Sequence, residues 1–262
     1  MHLLKRAMTL IAGTSAILMT LGITSAYAKP IHNNHLAGYV AVQKSGGSVS
    51  EWHSVYATFT VPAVNCSVTP NSTVYHYVVL GPRQKGSQAA GIVEGCSGGS
   101  PFYYGSYWYS EYDFGTIYGP YGPNDVLSIN PGDTVKASVN SNAGTGTDTF
   151  LITDRTTGTY YENDYTGVGQ QADLHYHSAG VFGYGNINSQ GTADFGSVSF
   201  SNAEAAPNAA GGKGKPLSDP TLWKLIADEQ IGPVTGTPDI VPGAISSTSS
   251  GSSFTNTWKA AN

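Results

Sequence analysis

Short extended segments rich in Val, Tyr and Thr, each cut off by Gly, Pro or Asn, follow one another along almost the whole chain. Leu36 to Val42, Ser50 to Val61, Thr73 to Leu80 and Gln88 to Glu94 read as strands on this basis. So do Phe102 to Tyr112, Asp125 to Ile129, Asp133 to Asn140, Thr147 to Thr153, Thr159 to Asn163, Ala172 to Ser178, Asp194 to Phe200 and Ser252 to Trp258. Asn130-Pro131-Gly132-Asp133 and Asp154 to Gly158 are turn signals between hairpin neighbours. With no long amphipathic helix to cover a parallel sheet, these strands predict an all-β, two-sheet antiparallel sandwich. Two stretches are less direct. Ala203 to Pro216, rich in Ala, Gly and Pro, reads as a loop. Asp219 to Gln230 suits either a helix capped by Asp219 with Pro220 first, or a strand alternating Leu222, Lys224 and Ile226 with Trp223 and Leu225.

The N-terminus has a different grammar. Lys5 and Arg6 precede the apolar run Ala7 to Ile23, and Ala26-Tyr27-Ala28 gives a small-x-small cleavage site. This predicts a signal peptide over 1–28, a secreted domain over 29–262 and no membrane association after cleavage. Without Lys5 and Arg6 the 12 basic residues fall to ten against 17 acidic ones. No basic stripe exists to neutralise phosphates, which argues against nucleic acid as a partner. Few carboxylates also means few native interactions lost on acidification, a composition suited to an acidic exterior. Cys66 and Cys96, the only cysteines, are expected to form one disulfide in an exported chain.

Titratable side chains concentrate in Gln170 to His177, where Asp173, His175 and His177 would share one strand face. Such a face could chelate a metal, with His76 approaching from elsewhere, or it could be an ordinary hydrogen-bonded histidine pair. Tyrosine clusters between Phe102 and Tyr121. On a strand, Tyr103, Tyr107 and Tyr109 would lie with Glu111, and Phe102, Tyr104 and Trp108 on the other face. This suits a groove for an extended peptide or glycan, or plain sheet-face packing. Gly-x-Ser-x-Gly, His-Glu-x-x-His, phosphate-loop and Asp-Thr-Gly patterns are missing.

Leu36 to Val40, Ser54 to Pro62, the turn Pro131-Gly132-Asp133, the run Asp194 to Ala203 and the closing stretch Ser246 to Trp258 together resemble the eqolisin family of glutamic peptidases. The resemblance implies a concanavalin A-like, jelly-roll sandwich with a peptide groove on its concave face. It implies a polypeptide substrate, a monomer, no cofactor, and a water activated by a glutamate while a glutamine stabilises the oxyanion. The glutamine position falls on Gln88, although the family's glycine sits one residue nearer to it. Ala172 and Asp173 fit the start of the glutamate segment, but its closing acid is replaced by His177. Tyr77 stands where the family has tryptophan, Gly81 where it has aspartate, and Tyr107 in place of a groove glutamate. The catalytic assignment is therefore Gln88 with His177 as an altered acid/base. Tyr77, Tyr103, Tyr107, Tyr109, Glu111, Asp173 and His175 are expected to contact substrate. A non-catalytic peptide- or glycan-binding sandwich and a metal site at Asp173, His175 and His177 are the alternatives.

Overall fold

Hydrophobic alternation along strands buried on one side forces two layers, and a computed structural model shows them. It describes residues 31–33, 36–44, 51–81, 87–110, 117–118, 127–142, 145–166, 176–185, 191–207, 214–221, 223–231 and 238–259. The strands in chain order are β1 (Ile31–Asn33), β2 (Ala37–Gln43), β3 (Ser54–Thr60), β4 (Ser72–Leu80), β5 (Ser87–Ser97) and β6 (Ser100–Ser110). Next come β7 (Ile117–Tyr118), β8 (Thr134–Asn142), β9 (Thr147–Asp154), β10 (Tyr160–Thr166), β11 (Ser178–Gly185) and β12 (Ser197–Ala206). The last are β13 (Lys215–Pro216), β14 (Trp223–Ile231), β15 (Pro238–Pro242), β16 (Ser246–Thr248) and β17 (Gly251–Trp258).

Sheet A runs β7-β6-β5-β4-β11-β2-β14-β1, antiparallel except for the β1–β14 pair. Sheet B runs β10-β9-β8-β3-β12-β17-β15, with β13 beside β12 and β16 beside β17. The short β15 also pairs with β14, so it joins the two sheets along one side. Between them lies the main core, to which sheet A gives Val78, Leu80, Ile92 and Val181 and sheet B gives Phe59, Phe150, Phe200 and Phe254. The Cys66–Cys96 disulfide, Cα atoms 5.5 Å apart, pins the segment before β4 to the end of β5. Closing a loop of 30 residues in this way is worth about 3–4 kcal/mol against the unfolded chain.

Three local expectations change. Residues 223–231 form a strand and no helix starts at Asp219; its Oδ1 instead accepts from Thr221 N (2.8 Å), an Asx turn leading into β14. The stretch Ala203 to Pro216 is a loop only in part, because β12 continues to Ala206 and Glu204 and Ala205 pair with Pro216 and Lys215. Of the strand expected over Ala172 to Ser178, residues 172–175 lie outside the described residues, Tyr176 and His177 are not in a strand, and β11 starts at Ser178 and continues through the glycines 180, 183 and 185. Those glycines look like strand breakers, but at Gly180 the ring of Phe182 occupies the space a Cβ would take, 2.3 Å away. The proposed signal segment, Glu111, Asp173, His175 and the side chain of Tyr109 lie outside the described residues.

Candidate functional site

Sheet A turns a second apolar face away from sheet B. Its centre is Val40, Tyr77, Val79, Ala89, Val93 and Phe182, and half-buried rings of Tyr75, Phe102, Tyr104 and Trp108 pack around it. Strand registry lines these residues into rows. Trp108, Ala89, Val79, Gly180, Val40 and Ile226 form one, and Ser106, Gly91, Tyr77, Phe182 and Gly38 the next. Tyr104, Val93, Tyr75 and Tyr184 form the third. Glycine shapes the middle row. A Cβ on Gly91 would stand 2.6 Å from the Tyr77 ring, so that ring lies across the backbone of β5. The Tyr77 hydroxyl hydrogen-bonds Ser106 on the far side. Burial, then the neighbouring Tyr104 and Tyr184 hydroxyls, raises the Tyr75 phenol above its ordinary range. The described residues of this face on β4, β5, β6 and β11 are aromatic, aliphatic, glycine, serine or threonine. None of them carries a carboxylate or a carboxamide.

Gln88 projects the other way. It pairs in register with Leu80, a core residue, and follows the inward set Ala90 and Ile92. Its side chain is 2% exposed and donates from Nε2 to Asp148 Oδ2, on the inward face of β9. Burial raises the Asp148 carboxyl above its usual range, more than hydrogen bonds from Ser141 and Gln88 lower it. Tyr176 completes the group. It is buried in the main core, its hydroxyl bonds Gln88, and its phenol is pushed far up by burial and by the Asp148 charge. His177, one residue on, is exposed at the head of β11, the central strand between β4 and β2. Thus Tyr176, and not its neighbour His177, is the side chain turned inward onto Gln88.

The tyrosines divide between the two faces of sheet A. Tyr77 belongs to the outer face, whereas Tyr103 and Tyr107 face sheet B. Tyr103 accepts from Val64 N (2.9 Å), and Tyr107 stacks on Tyr161 with centroids 5.6 Å apart and accepts from Asn163 Nδ2 (2.5 Å). Burial and the Tyr107 hydroxyl push the Tyr165 phenol to about 12. These contacts commit Tyr103 and Tyr107 to holding the sheets together, so they do not line the same surface as Tyr77. The residues of β6 that do are Phe102, Tyr104 and Trp108, the set sequence parity assigned to the opposite face.

His76 is likewise a core residue. Its Nε2 lies 3.0 Å from Glu94 Oε1, both side chains are fully buried, and Phe195 meets the imidazole edge-on at 4.9 Å. Burial raises the Glu94 carboxyl, with the His76 charge and hydrogen bond opposing it. His76 is therefore occupied inside the core, paired with Glu94. Among the described residues no three His, Cys, Asp or Glu side chains are grouped to hold a metal ion. Sequence reading overlooked Asp148, Glu94 and Tyr176. The first two were accessible by parity, since Asp148 shares a face with Phe150 and Ile152, and Glu94 with Ile92. Tyr176 was not, because the regular strand starts after it.

The profile of the Peptidase A4 family matches residues 34–235. Among solved structures, scytalido-glutamic peptidase with a transition state analog inhibitor aligns at 17% identity and a TM-score of 0.62, covering 87% of this chain and 99% of that one. SCP-B, a member of the eqolisin family in a complex with the tripeptide Ala-Ile-His, aligns at 15% identity and a TM-score of 0.61, with the same coverage of both chains. At these identities the likeness is one of fold, the two-sheet sandwich. The comparison with curated proteins found no match.

Proposed function

The chain belongs to the Peptidase A4 family, and from that premise we propose that it is an exported hydrolase of polypeptides acting across the outer face of sheet A. Family membership is the observation that carries this reading, and the aromatic rows are what supports setting it on that face. An extended peptide has apolar side chains and backbone amides to satisfy, and half-buried Tyr75, Tyr104, Trp108 and Tyr184 offer rings and hydroxyls for both. His177 is the group we assign to proton transfer. It is exposed at the head of the strand that carries Gly180, Phe182 and Tyr184 onto that face. Its imidazole takes a proton from the attacking water and returns it to the leaving amine, with no metal and no covalent intermediate. An imidazole accepts a proton only when neutral, so cleavage belongs near neutral pH and not at the acid pH where a carboxylate base serves. Gln88 takes no part across that face: it is buried on the side turned toward sheet B, where it donates to Asp148.

The test is incubation of the mature protein with an unfolded protein substrate from pH 2 to 8. We expect cleavage that rises toward neutrality and is lost in His177→Ala. Cleavage that peaks at acid pH, or survives that substitution, would remove the histidine mechanism. A second reading is favoured by the lack of any carboxylate or carboxamide among the described residues of that face on β4, β5, β6 and β11: a family member that holds peptide without cutting it. Peptide binding with no hydrolysis at any pH would establish that alternative.

A further inference from the structure

Directly before His177 in the chain, Tyr176 joins a buried cluster that includes a carboxyl group from the other sheet. Asp148 stands on the inward side of β9 between the outward-facing Thr147 and Thr149, and it is 1% exposed. It accepts from Gln88 of β5 and is hydrogen-bonded by Ser141 of β8. The Tyr176 hydroxyl bonds the same Gln88 amide, so β5, β8, β9 and the head of β11 meet at one buried point. The backbone on either side of His177 is held as well. The Tyr176 carbonyl accepts from Trp52 N and the Ser178 carbonyl from Gly81 N, both at 2.8 Å. Main-chain bonds of this kind fix the path of the strand; the Tyr176 side chain fixes its roll, and with it the direction in which the next residue projects.

We propose that Asp148 is a positioning residue: through Gln88 and Tyr176 it braces sheet B against the head of β11 and so sets the placement of His177. It touches no substrate. The inference rests on the reading of His177 as the proton-transfer group, but the placement itself can be measured without activity. Removing the carboxyl leaves the Gln88 amide without its acceptor in a dry site, whereas asparagine keeps an acceptor oxygen in nearly the same shape.

The experiment uses the mature chain with isotopically labelled histidine. In Asp148→Ala we expect the His177 ring resonances to shift or broaden, and kcat on unfolded substrate to fall on the order of 10- to 100-fold with KM nearly unchanged. Asp148→Asn should restore both readouts. A folded Asp148→Ala variant with His177 resonances and kcat like the wild type overturns the proposal, as does an Asp148→Asn variant no better than Asp148→Ala. Should Asp148→Ala not fold, Tyr176→Phe removes only the hydroxyl, and the same resonances must move. If the wild type cuts nothing at any pH, the hydrolase reading fails while the resonances still decide whether the brace exists.

Discussion

The sandwich has two outer faces built under the same constraint and from different chemistry. Each sheet must bury one side, which leaves the other free to be merely soluble. Sheet B takes that course: Thr60, Thr149, Thr153, Ser199 and Thr255 point outward, and the Ser199 and Thr255 hydroxyls lie 2.9 Å apart. Threonine suits a pleated strand and keeps its hydroxyl in water, so nothing more is needed there. Sheet A instead presents Tyr75, Phe102, Tyr104, Trp108 and Tyr184 around a glycine-shaped floor. Holding so many rings on the side that faces away from the core serves no purpose that solubility demands. A contiguous aromatic patch of this kind is what distinguishes a binding surface from an ordinary one. This contrast is the reason we propose sheet A as the working side of the molecule.

The largest expected effect comes from filling the floor. A Cβ at Gly91 would fall 1.9 Å from the His76 carbonyl oxygen as well as into the Tyr77 ring, so Gly91→Ala must move backbone. We expect a loss of about 3 kcal/mol in urea unfolding, at the upper end of overpacking. A loss under about 0.5 kcal/mol would mean that the rows on sheet A do not need their glycines.

Next is the dependence of stability on pH, which should originate between the sheets and not on either outer face. Burial raises both Glu94 and Asp148 in the folded protein. Groups shifted upward contribute stability that is complete below their unfolded values, about 4, and is lost as pH rises through the folded ones. Asp154 works in the other direction. Its burial favours protonation, but hydrogen bonds from Thr156 and Thr157 outweigh that and lower it. Its contribution therefore disappears only as pH falls through its lowered folded value. The urea midpoint should accordingly decline from about pH 4 upward, and Glu94→Gln should flatten part of that slope. A midpoint that climbs between pH 4 and 7 would show that these buried carboxyls do not dominate.

How much of this was readable in advance differs by level. The period-two alternation of β4, β8 and β9 was legible because one side of each strand meets a dry core, and that alone selects a sandwich. The course of β11 was not, since Gly180, Gly183 and Gly185 weaken a strand locally, and the space beside Gly180 is filled by the Phe182 ring and that beside Gly183 by Asn256, Ile240 and His76. In the aromatic segment, which residues share a face was legible, but which side of the sheet that face takes was not. Parity correctly separated Tyr103 and Tyr107 from Phe102, Tyr104 and Trp108, but choosing which set faces away from the core requires knowing where sheet B lies. Gln88 illustrates the same gap. A one-residue step along β5 exchanges the inward Gln88 for the outward Ala89, and the motif that suggested Gln88 carried an offset of that size.

A smaller effect separates the two faces by function. Tyr104→Ala removes a half-buried ring from the outer row of sheet A while its neighbour Tyr103 stays anchored to Val64 on the inner side. Peptide affinity should fall roughly tenfold, about 1.4 kcal/mol, as measured by calorimetry with a short uncharged peptide. Tyr103→Ala should lower thermal stability and leave affinity for the folded protein close to normal. The reverse pattern would move the binding surface from the outer face to the interior edge of the sandwich.

The weakest effect is the control that gives the others their meaning. Thr255→Ala on sheet B deletes one hydroxyl from an outward position and breaks its contact with Ser199, without uncovering any buried polar atom, because both groups reach water. Stability should change by less than about 0.5 kcal/mol, and peptide affinity not at all. If Thr255→Ala weakens binding as much as Tyr104→Ala does, then hydroxyls in a solvated array matter as much as rings over glycine, and the aromatic face can no longer be singled out as the working side.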